Sequence, residues 1–179
     1  RWQNEPETVQ QEIEARFSYP FFIKPANLGS SVGISKVHDA EEFGRGMDEA
    51  ADFDSKIIVE AEAGNCREVE CSVLGNQEPE ASVVGEIVPG NEFYDYNAKY
   101  VDDNSELIIP AQIAPETAAQ VRQLALQAFD SVEAAGLARV DFFVNRDDES
   151  IYLNEINTLP GFTPISMYPK LWEASGVSY

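Results

Sequence analysis

The chain has 179 residues, of which 12 are basic and 32 acidic, so its formal net charge is −20. A chain this acidic lacks the positive surface that binds nucleic acid or an anionic membrane, and we predict neither as a partner. Hydrophobic residues make up 44% of the sequence, enough for the core of one ordinary domain or of a compact part of a larger one. Two cysteines are too few for a disulfide framework, which favours a reducing, cytoplasmic location.

The first third of the chain carries alternating helix and strand signals. Its pattern predicts a surface helix over 5–16, a strand over 21–25, a second strand over 34–37, and a helix from Asp39 to about Ala51. A glycine-rich turn, from Asn27 to Gly33, connects the two strands. This part of the chain is therefore predicted as strand–loop–strand followed by a helix.

The rest of the chain is dominated by strands. Its pattern predicts strands over 56–60, 67–74, 81–88 and 107–113, a helix over 115–135 that Gly136 ends, and a hairpin with strands 138–145 and 151–157. An irregular segment covers residues 89–104, and loops of that length are usually functional lids or disordered segments. Because helices and strands do not alternate strictly, we expect an α+β fold with a largely antiparallel sheet.

The final hairpin has a geometry that follows from its sequence. If its turn centres on Asp148, then Asp141 lies opposite Glu155. By the same register Arg139 lies opposite Asn157, and all four side chains share one face. Opposed carboxylates repel each other, and such oxygens suit a hard cation such as Mg²⁺. A solvated acidic strand face is the other interpretation, and the hairpin alone leaves both open.

The glycine-rich turn has three interpretations. Its residues 29–33 match the G-x-S-x-G elbow of serine hydrolases, which needs a helix directly after it and a distant histidine. A strand is predicted instead, and the only histidine, His38, is seven residues from Ser31. The second interpretation is a flap whose backbone N–H groups and serine hydroxyls hold phosphate oxygens, with Lys24 beside it. A plain hairpin turn is the third.

Four motifs occur in an order that links these features. They are FIKPANLGSSVG at 22–33, FYDYNAKY at 93–100, RVD at 139–141 and NEINTLPGFT at 154–163. Together they resemble the D-alanine–D-alanine ligases of the ATP-grasp superfamily over nearly the whole chain. The resemblance implies an ATP-grasp fold and phosphorylation of one D-alanine carboxylate by ATP. The amine of a second D-alanine then attacks the acyl phosphate, which gives D-alanyl-D-alanine for peptidoglycan synthesis.

The same resemblance implies which residues bind ATP. Lys24 would contact the phosphates, and Lys99 would reach the γ-phosphate. Ser30 would help to close the flap over the phosphates, with Tyr100 bonded toward it. The base and the ribose would be bound by Glu60, by the backbone near Ala63, and by Glu68.

Further implied residues surround the reacting atoms. Two Mg²⁺ or Mn²⁺ ions would be bound by Asp141, Glu155 and Asn157. Arg139 and the N–H of Gly161 would stabilise the tetrahedral carbon. Ser166 and Met167 would seat the carboxylate of the second D-alanine.

The resemblance also implies a domain organisation. Residues 1–60 would be part of the central ATP-grasp subdomain with the phosphate flap. Residues 61–179 would be the C-terminal subdomain, with a lid loop over 89–104 and the metal-binding hairpin over 138–157. The family's N-terminal domain, a further ATP-binding lysine and a final helix are not in the sequence. We therefore expect a fragment that does not turn over alone, derived from a cytoplasmic protein that forms a homodimer.

Two other functions stay open at this stage. An ATP-grasp ligase of different acceptor specificity could use D-lactate, although the pair Lys99-Tyr100 is typical of the amine-using type. A module that binds nucleotide without catalysis is the other. The presence of Arg139 and of all three implied metal ligands favours an active enzyme over such a module.

Overall fold

The computed structural model describes residues 1–89 and 106–179, which fall into two compact units, residues 1–63 and residues 64–88 with 106–179. The helices are α1 (Pro6–Glu14), α2 (Ala40–Phe53), α3 (Pro115–Ser131) and α4 (Met167–Ala174). The strands are β1 (Phe21–Pro25), β2 (Ser35–Val37), β3 (Ile57–Ala61), β4 (Cys66–Gly75), β5 (Glu80–Val88), β6 (Glu106–Ile108), β7 (Gly136–Asn145) and β8 (Ile151–Asn157). Among the described residues, no helix combines the length and apolar character needed to span a membrane.

The first unit is a three-stranded antiparallel sheet in the order β2-β1-β3, with α2 packed on one face. Alternate residues of β1 point toward α2, and they form the core with residues of β2 and α2: Phe21, Ile23, Val37, Phe43, Met47 and Ala50. Asp39 caps α2 as predicted, because its Oδ1 accepts the N–H groups of Glu41 at 2.9 Å and Glu42 at 3.1 Å.

The second unit is a five-stranded antiparallel sheet in the order β6-β5-β4-β7-β8. One face is apolar and is covered by α3, whose Val121, Ala125 and Phe129 are buried against it. The short helix α4 packs against β4 and β5. A Cβ atom at Gly85 would lie 2.7 Å from Cδ2 of Leu171, so only a glycine permits this close approach of helix and strand.

The antiparallel α+β character predicted from the sequence is confirmed, but several element bounds are wrong. The strand predicted over 107–113 ends at Ile108, because Pro110 has no N–H to continue the ladder. The helix predicted over 115–135 ends at Ser131, and Glu133 takes a left-handed φ of 52° before β7 begins. Helix α4 was not predicted, since it is short and contains Pro169.

The two glycines inside α2 make a matched test of this packing. A Cβ atom at Gly46 would lie 2.9 Å from Cγ2 of the buried Val37, whereas Gly44 has open space around it. We expect Gly46→Ala to destabilise the protein by about 1–3 kcal/mol through overpacking. Gly44→Ala should stabilise it by about 0.5–1 kcal/mol through helix propensity. Urea unfolding of both variants measures the difference, and equal effects would contradict this packing.

Candidate active site

The register of the final hairpin is confirmed where it matters for the site. Asp141 pairs with Glu155, and Arg139 pairs with Asn157, as the turn-centred register predicts. Directly beyond Asp141 the register shifts by one residue at a β-bulge. The paired polar side chains alternate with residues of the apolar face, so they lie on the sheet face opposite α3.

Arg139 binds two carboxylates on this face. Its Nε and Nη2 donate to the two oxygens of Asp141 at 2.7 Å each, a bidentate pair. Its Nε also lies 3.1 Å from Oε2 of Glu70, which pairs with Asp141 across β4 and β7. Burial alone would lower the pKa of Arg139, but the hydrogen bonds to Asp141 and the charges of Glu70, Asp141 and Glu155 raise it. The guanidinium therefore stays charged.

The loop after β8 brings two of the predicted residues, Gly161 and Ser166, close to one another. Asn157 is half-buried, and its Oδ1 accepts the N–H of Leu159 at 3.1 Å. Ser166 Oγ accepts the N–H of Thr163 at 3.1 Å, and a Cβ atom at Gly161 would lie 3.0 Å from the same oxygen. Gly161 and Ser166 are thus neighbours in space. Met167, by contrast, is the first residue of α4, and its side chain is buried near Gly85 of β5.

Ser166 stands at the N-cap of α4 but turns its hydroxyl toward Thr163, with a separation of 2.8 Å between their two side-chain oxygens. In the part of the chain that the structure describes, this hydroxyl does not cap the helix. Free N–H groups at a helix N-terminus carry partial positive charge and favour an anion. The N–H of Met167 lies in this first turn.

The donor set on the hairpin fits a hard cation. Asp141, Glu155 and Asn157 supply carboxylate and amide oxygens, which Mg²⁺ prefers over nitrogen or sulfur. Across residues 1–89 and 106–179, no three His, Cys, Asp or Glu side chains come close enough to form a metal site by themselves. The predicted site depends on the amide of Asn157 in addition to two carboxylates.

In the first unit, the face of the sheet opposite α2 carries two of the predicted nucleotide-binding residues, Lys24 and Glu60. Lys24 Nζ lies 2.6 Å from Oε2 of Glu60, so the two are brought together in an ion pair. Phe22 of β1 pairs with Glu60 of β3 on one side and with Lys36 of β2 on the other. Lys36 forms a second pair with Glu62 at 2.7 Å. Lys36 and Glu62 were missed from the sequence because their proximity depends on strand pairing.

The glycine-rich turn is a strand–loop–strand unit, as predicted. Ser30 and Ser31 have φ angles of 55° and 58°, and Gly33 has 71°. The strand β2 follows instead of a helix, so the hydrolase interpretation is wrong. His38 is exposed and lies 2.9 Å from Glu42, on the neighbouring helix. The side chain of Ser30 is exposed at the tip of the loop.

Glu68 lies on central strand β4, on the same face as Glu70 and opposite Phe143. It is half-buried, as is Ala63 at the end of the first unit. Strand β4 lies at the centre of the sheet, between β5 and β7. Lys99 and Tyr100, together with the rest of the predicted lid after residue 89, lie outside the described residues.

On the opposite face, Arg67 forms an ion pair that the sequence analysis missed. Its Nη1 lies 2.9 Å from both oxygens of Glu86, which is 1% exposed, and Arg146 approaches the same carboxylate at 3.6 Å. A single acid inside the apolar run 81–88 was the available signal, because a buried carboxylate needs a cation. This pair joins β4 to β5 on the sheet face opposite the one that carries Glu68.

Removal of the Arg67 guanidinium should destabilise the protein strongly. Among the described residues, Arg67→Met leaves the buried charge of Glu86 with the more distant Arg146, and we expect a loss of about 3 kcal/mol. Arg45→Met is the matched control, since Arg45 is 79% exposed in its pair with Glu42 and should cost below about 1 kcal/mol. Urea unfolding gives both values. Equal losses would mean that Glu86 is not held by Arg67.

Comparison with known proteins places these observations in a family. The family described as "D-ala D-ala ligase C-terminus" matches residues 1–179. The D-alanine–D-alanine ligase of Acetivibrio thermocellus is 57% identical over 173 residues, which are 97% of this chain and 46% of that protein. The enzyme of Clostridium novyi is 52% identical over 178 residues, 99% of this chain and 52% of that protein. The chain therefore spans about half the length of these curated relatives.

Solved structures agree on the fold. The VanG D-Ala:D-Ser ligase from Enterococcus faecalis superposes with a TM-score of 0.86 at 36% identity, over 98% of this chain and 50% of that one. The D-alanine-D-alanine ligase from Coxiella burnetii gives a TM-score of 0.80 at 39% identity, over 96% of this chain and 44% of that one. Both confirm the predicted ATP-grasp fold for the chain.

Proposed function

Because the chain belongs to the D-alanine–D-alanine ligase C-terminal family, we propose that the protein carrying it joins two D-alanine molecules with ATP. The observation that carries the proposal is the polar face of the hairpin. It pairs Asp141 with Glu155 and Arg139 with Asn157, beside a loop in which Gly161 approaches Ser166. Arginine, hard oxygen donors and free N–H groups suit chemistry on anionic oxygens.

In this proposal the hairpin holds the divalent cations. Asp141, Glu155 and Asn157 would bind two Mg²⁺ or Mn²⁺ ions. Bound there, the ions would offset the negative charge of the ATP phosphates, which an acidic protein otherwise repels. The pairing of two carboxylates on one face supports this role, because such a pair gains from a cation.

The remaining residues of the second unit would act on the reacting carbon and the acceptor. Arg139 would stabilise the negative oxygen that develops when the amine attacks the acyl phosphate, together with the N–H of Gly161. The carbon–nitrogen bond then forms, phosphate leaves, and the amine loses its proton. The first turn of α4, with Ser166 and Met167, would bind the acceptor carboxylate, which its partial positive charge supports.

Nucleotide binding would use further residues that the family resemblance implies. Lys24 would contact the phosphates, Glu60 the adenine amino group, and Glu68 the ribose. Further roles are proposed for the Ala63 backbone at the base, Ser30 and Tyr100 in closure, and Lys99 at the γ-phosphate. The ion pair of Lys24 with Glu60 at 2.6 Å supports a shared site for phosphate and base.

Sequence identity supports the choice of acceptor substrate, and the cysteine content supports the cellular location. The curated relatives that are 52–57% identical are named for D-alanine, whereas the D-Ala:D-Ser ligase is 36% identical. The higher identity supports D-alanine as the acceptor rather than D-serine or D-lactate. Use of ATP and the low cysteine count, two in the whole sequence, support a cytoplasmic location.

The test is phosphate release from ATP by the full-length protein, with the dipeptide product identified by mass. We expect release to require both D-alanine and Mg²⁺. Release with D-lactate or D-serine alone would keep the ligase chemistry and reject the acceptor. A folded protein that binds ATP but releases no phosphate with any acceptor would instead be a nucleotide-binding module.

Asp141→Asn tests the metal-binding hairpin in the same assay. The amide keeps the shape but removes the charge that attracts the cation, so we expect turnover to fall at least about 100-fold. The melting temperature should stay within a few degrees, since Glu70 still pairs with Arg139. Asp130→Asn, on the exposed side of α3, is the matched control and should leave both unchanged. A collapse in melting temperature would make Asp141 structural instead.

Lys24→Gln tests the proposed phosphate contact. The loss of a charged hydrogen bond to phosphate should raise KM for ATP by about 10- to 100-fold, with KM for D-alanine unchanged. Lys56→Gln serves as the control, because Lys56 is exposed at the end of the loop before β3. If both variants shift KM for ATP equally, Lys24 has no special role at the phosphates.

A further inference from the structure

We propose that Glu70 is a positioning residue, which holds the Arg139 guanidinium in place when a metal ion binds Asp141. The inference rests on the ligase function proposed above. Glu70 is not among the implied site residues, and its contacts lie on the polar face of the five-stranded sheet, opposite α3.

Glu70 reaches Arg139 from a different strand than Asp141 does. It lies on β4 directly opposite Asp141 on β7, and its side chain is only 8% exposed. Its Oε2 lies 3.1 Å from Nε of Arg139. One guanidinium therefore contacts a carboxylate from each of two neighbouring strands, and one of those carboxylates is a proposed metal ligand.

The two roles of Asp141 compete with each other. Both of its oxygens accept hydrogen bonds from Arg139 at 2.7 Å. The same oxygens would bind the metal ion, which also repels the nearby guanidinium. Arg139 is only 20% exposed, so it cannot exchange Asp141 for water without loss. Glu70 supplies a carboxylate that stays available to Arg139 after Asp141 has bound the ion.

Loss of the Glu70 charge should therefore weaken metal binding. Without it, Asp141 is the carboxylate left in contact with Arg139 among the described residues, so the guanidinium competes harder with the cation. Residues that orient metal ligands without touching the metal typically change metal affinity by about 10- to 100-fold. We expect the dissociation constant for Mn²⁺ to rise within this range in Glu70→Gln, a variant that keeps the side-chain volume.

The experiment measures Mn²⁺ binding to the full-length protein by electron paramagnetic resonance of the free ion. Glu80→Gln is the matched control, because it also removes one negative charge, from a side chain that is exposed on β5 of the same sheet. Its dissociation constant should stay within about twofold of wild type. An unchanged constant in Glu70→Gln would overturn the inference, and so would an equal change in the control.

A double variant separates action through Arg139 from direct contact with the metal. In an Arg139→Met background there is no guanidinium to hold, so Glu70→Gln should change the Mn²⁺ constant by no more than about twofold. The same large effect in both backgrounds would show that Glu70 acts on the metal itself and would overturn the positioning role. Circular dichroism checks that every variant is folded.

Glu70→Asp provides a second variant if the glutamine variant does not fold. It keeps the charge but shortens the side chain by one methylene. Its dissociation constant for Mn²⁺ should lie between that of wild type and the values expected for Glu70→Gln. A constant equal to wild type would overturn the inference. A wild type that binds no Mn²⁺ and forms no dipeptide would reject the ligase proposal itself, whereas unchanged Glu70 variants beside an active wild type reject only this inference.

Discussion

The polar face of the five-stranded sheet depends on how its negative charges are balanced. Glu70 and Asp141 are opposed and buried, and Glu155 is paired with Asp141 on the next strand. Arg139 offsets two of these carboxylates directly, and within residues 1–89 and 106–179 this leaves a negative surplus that a cation would relieve. The apolar side chains that alternate with them are fixed under α3, so the acids cannot turn away. The packing of the core thus keeps these carboxylates close together although they repel one another.

On the other face of the same sheet, the charge of a buried acid is balanced by arginine side chains of the protein. Glu86 is buried there, and Arg67 and Arg146 surround it from β4 and from the end of β7. That carboxylate is neutralised permanently and joins neighbouring strands. The contrast distinguishes a structural acid, which is paired with two arginines, from the acids of the polar face, which outnumber the cations beside them in the part of the chain that the structure describes.

The sequence predicted local geometry better than long-range geometry. The pairing of Asp141 with Glu155 followed from side-chain alternation and a short turn, both of which are local properties. Glu70 was missed because its partner, Arg139, lies on a strand distant in sequence, and sheet order is not readable from periodicity. Glu86 was missed although its partner, Arg67, lies on the preceding strand. Helix α4 was missed for another reason. Its burial against Gly85, not its own propensity, determines where it forms.

The β-bulge after Asp141 allows one strand to serve two purposes. Ile151 and Ile156 of β8 both pack toward the apolar core although they are five positions apart, a spacing that in a regular strand would place them on opposite faces. The extra residue resets the alternation between them, so that Glu155 and Asn157 face the site while both isoleucines face α3. The site end of β8 can therefore change its chemistry during evolution without disturbing the end that anchors the hairpin.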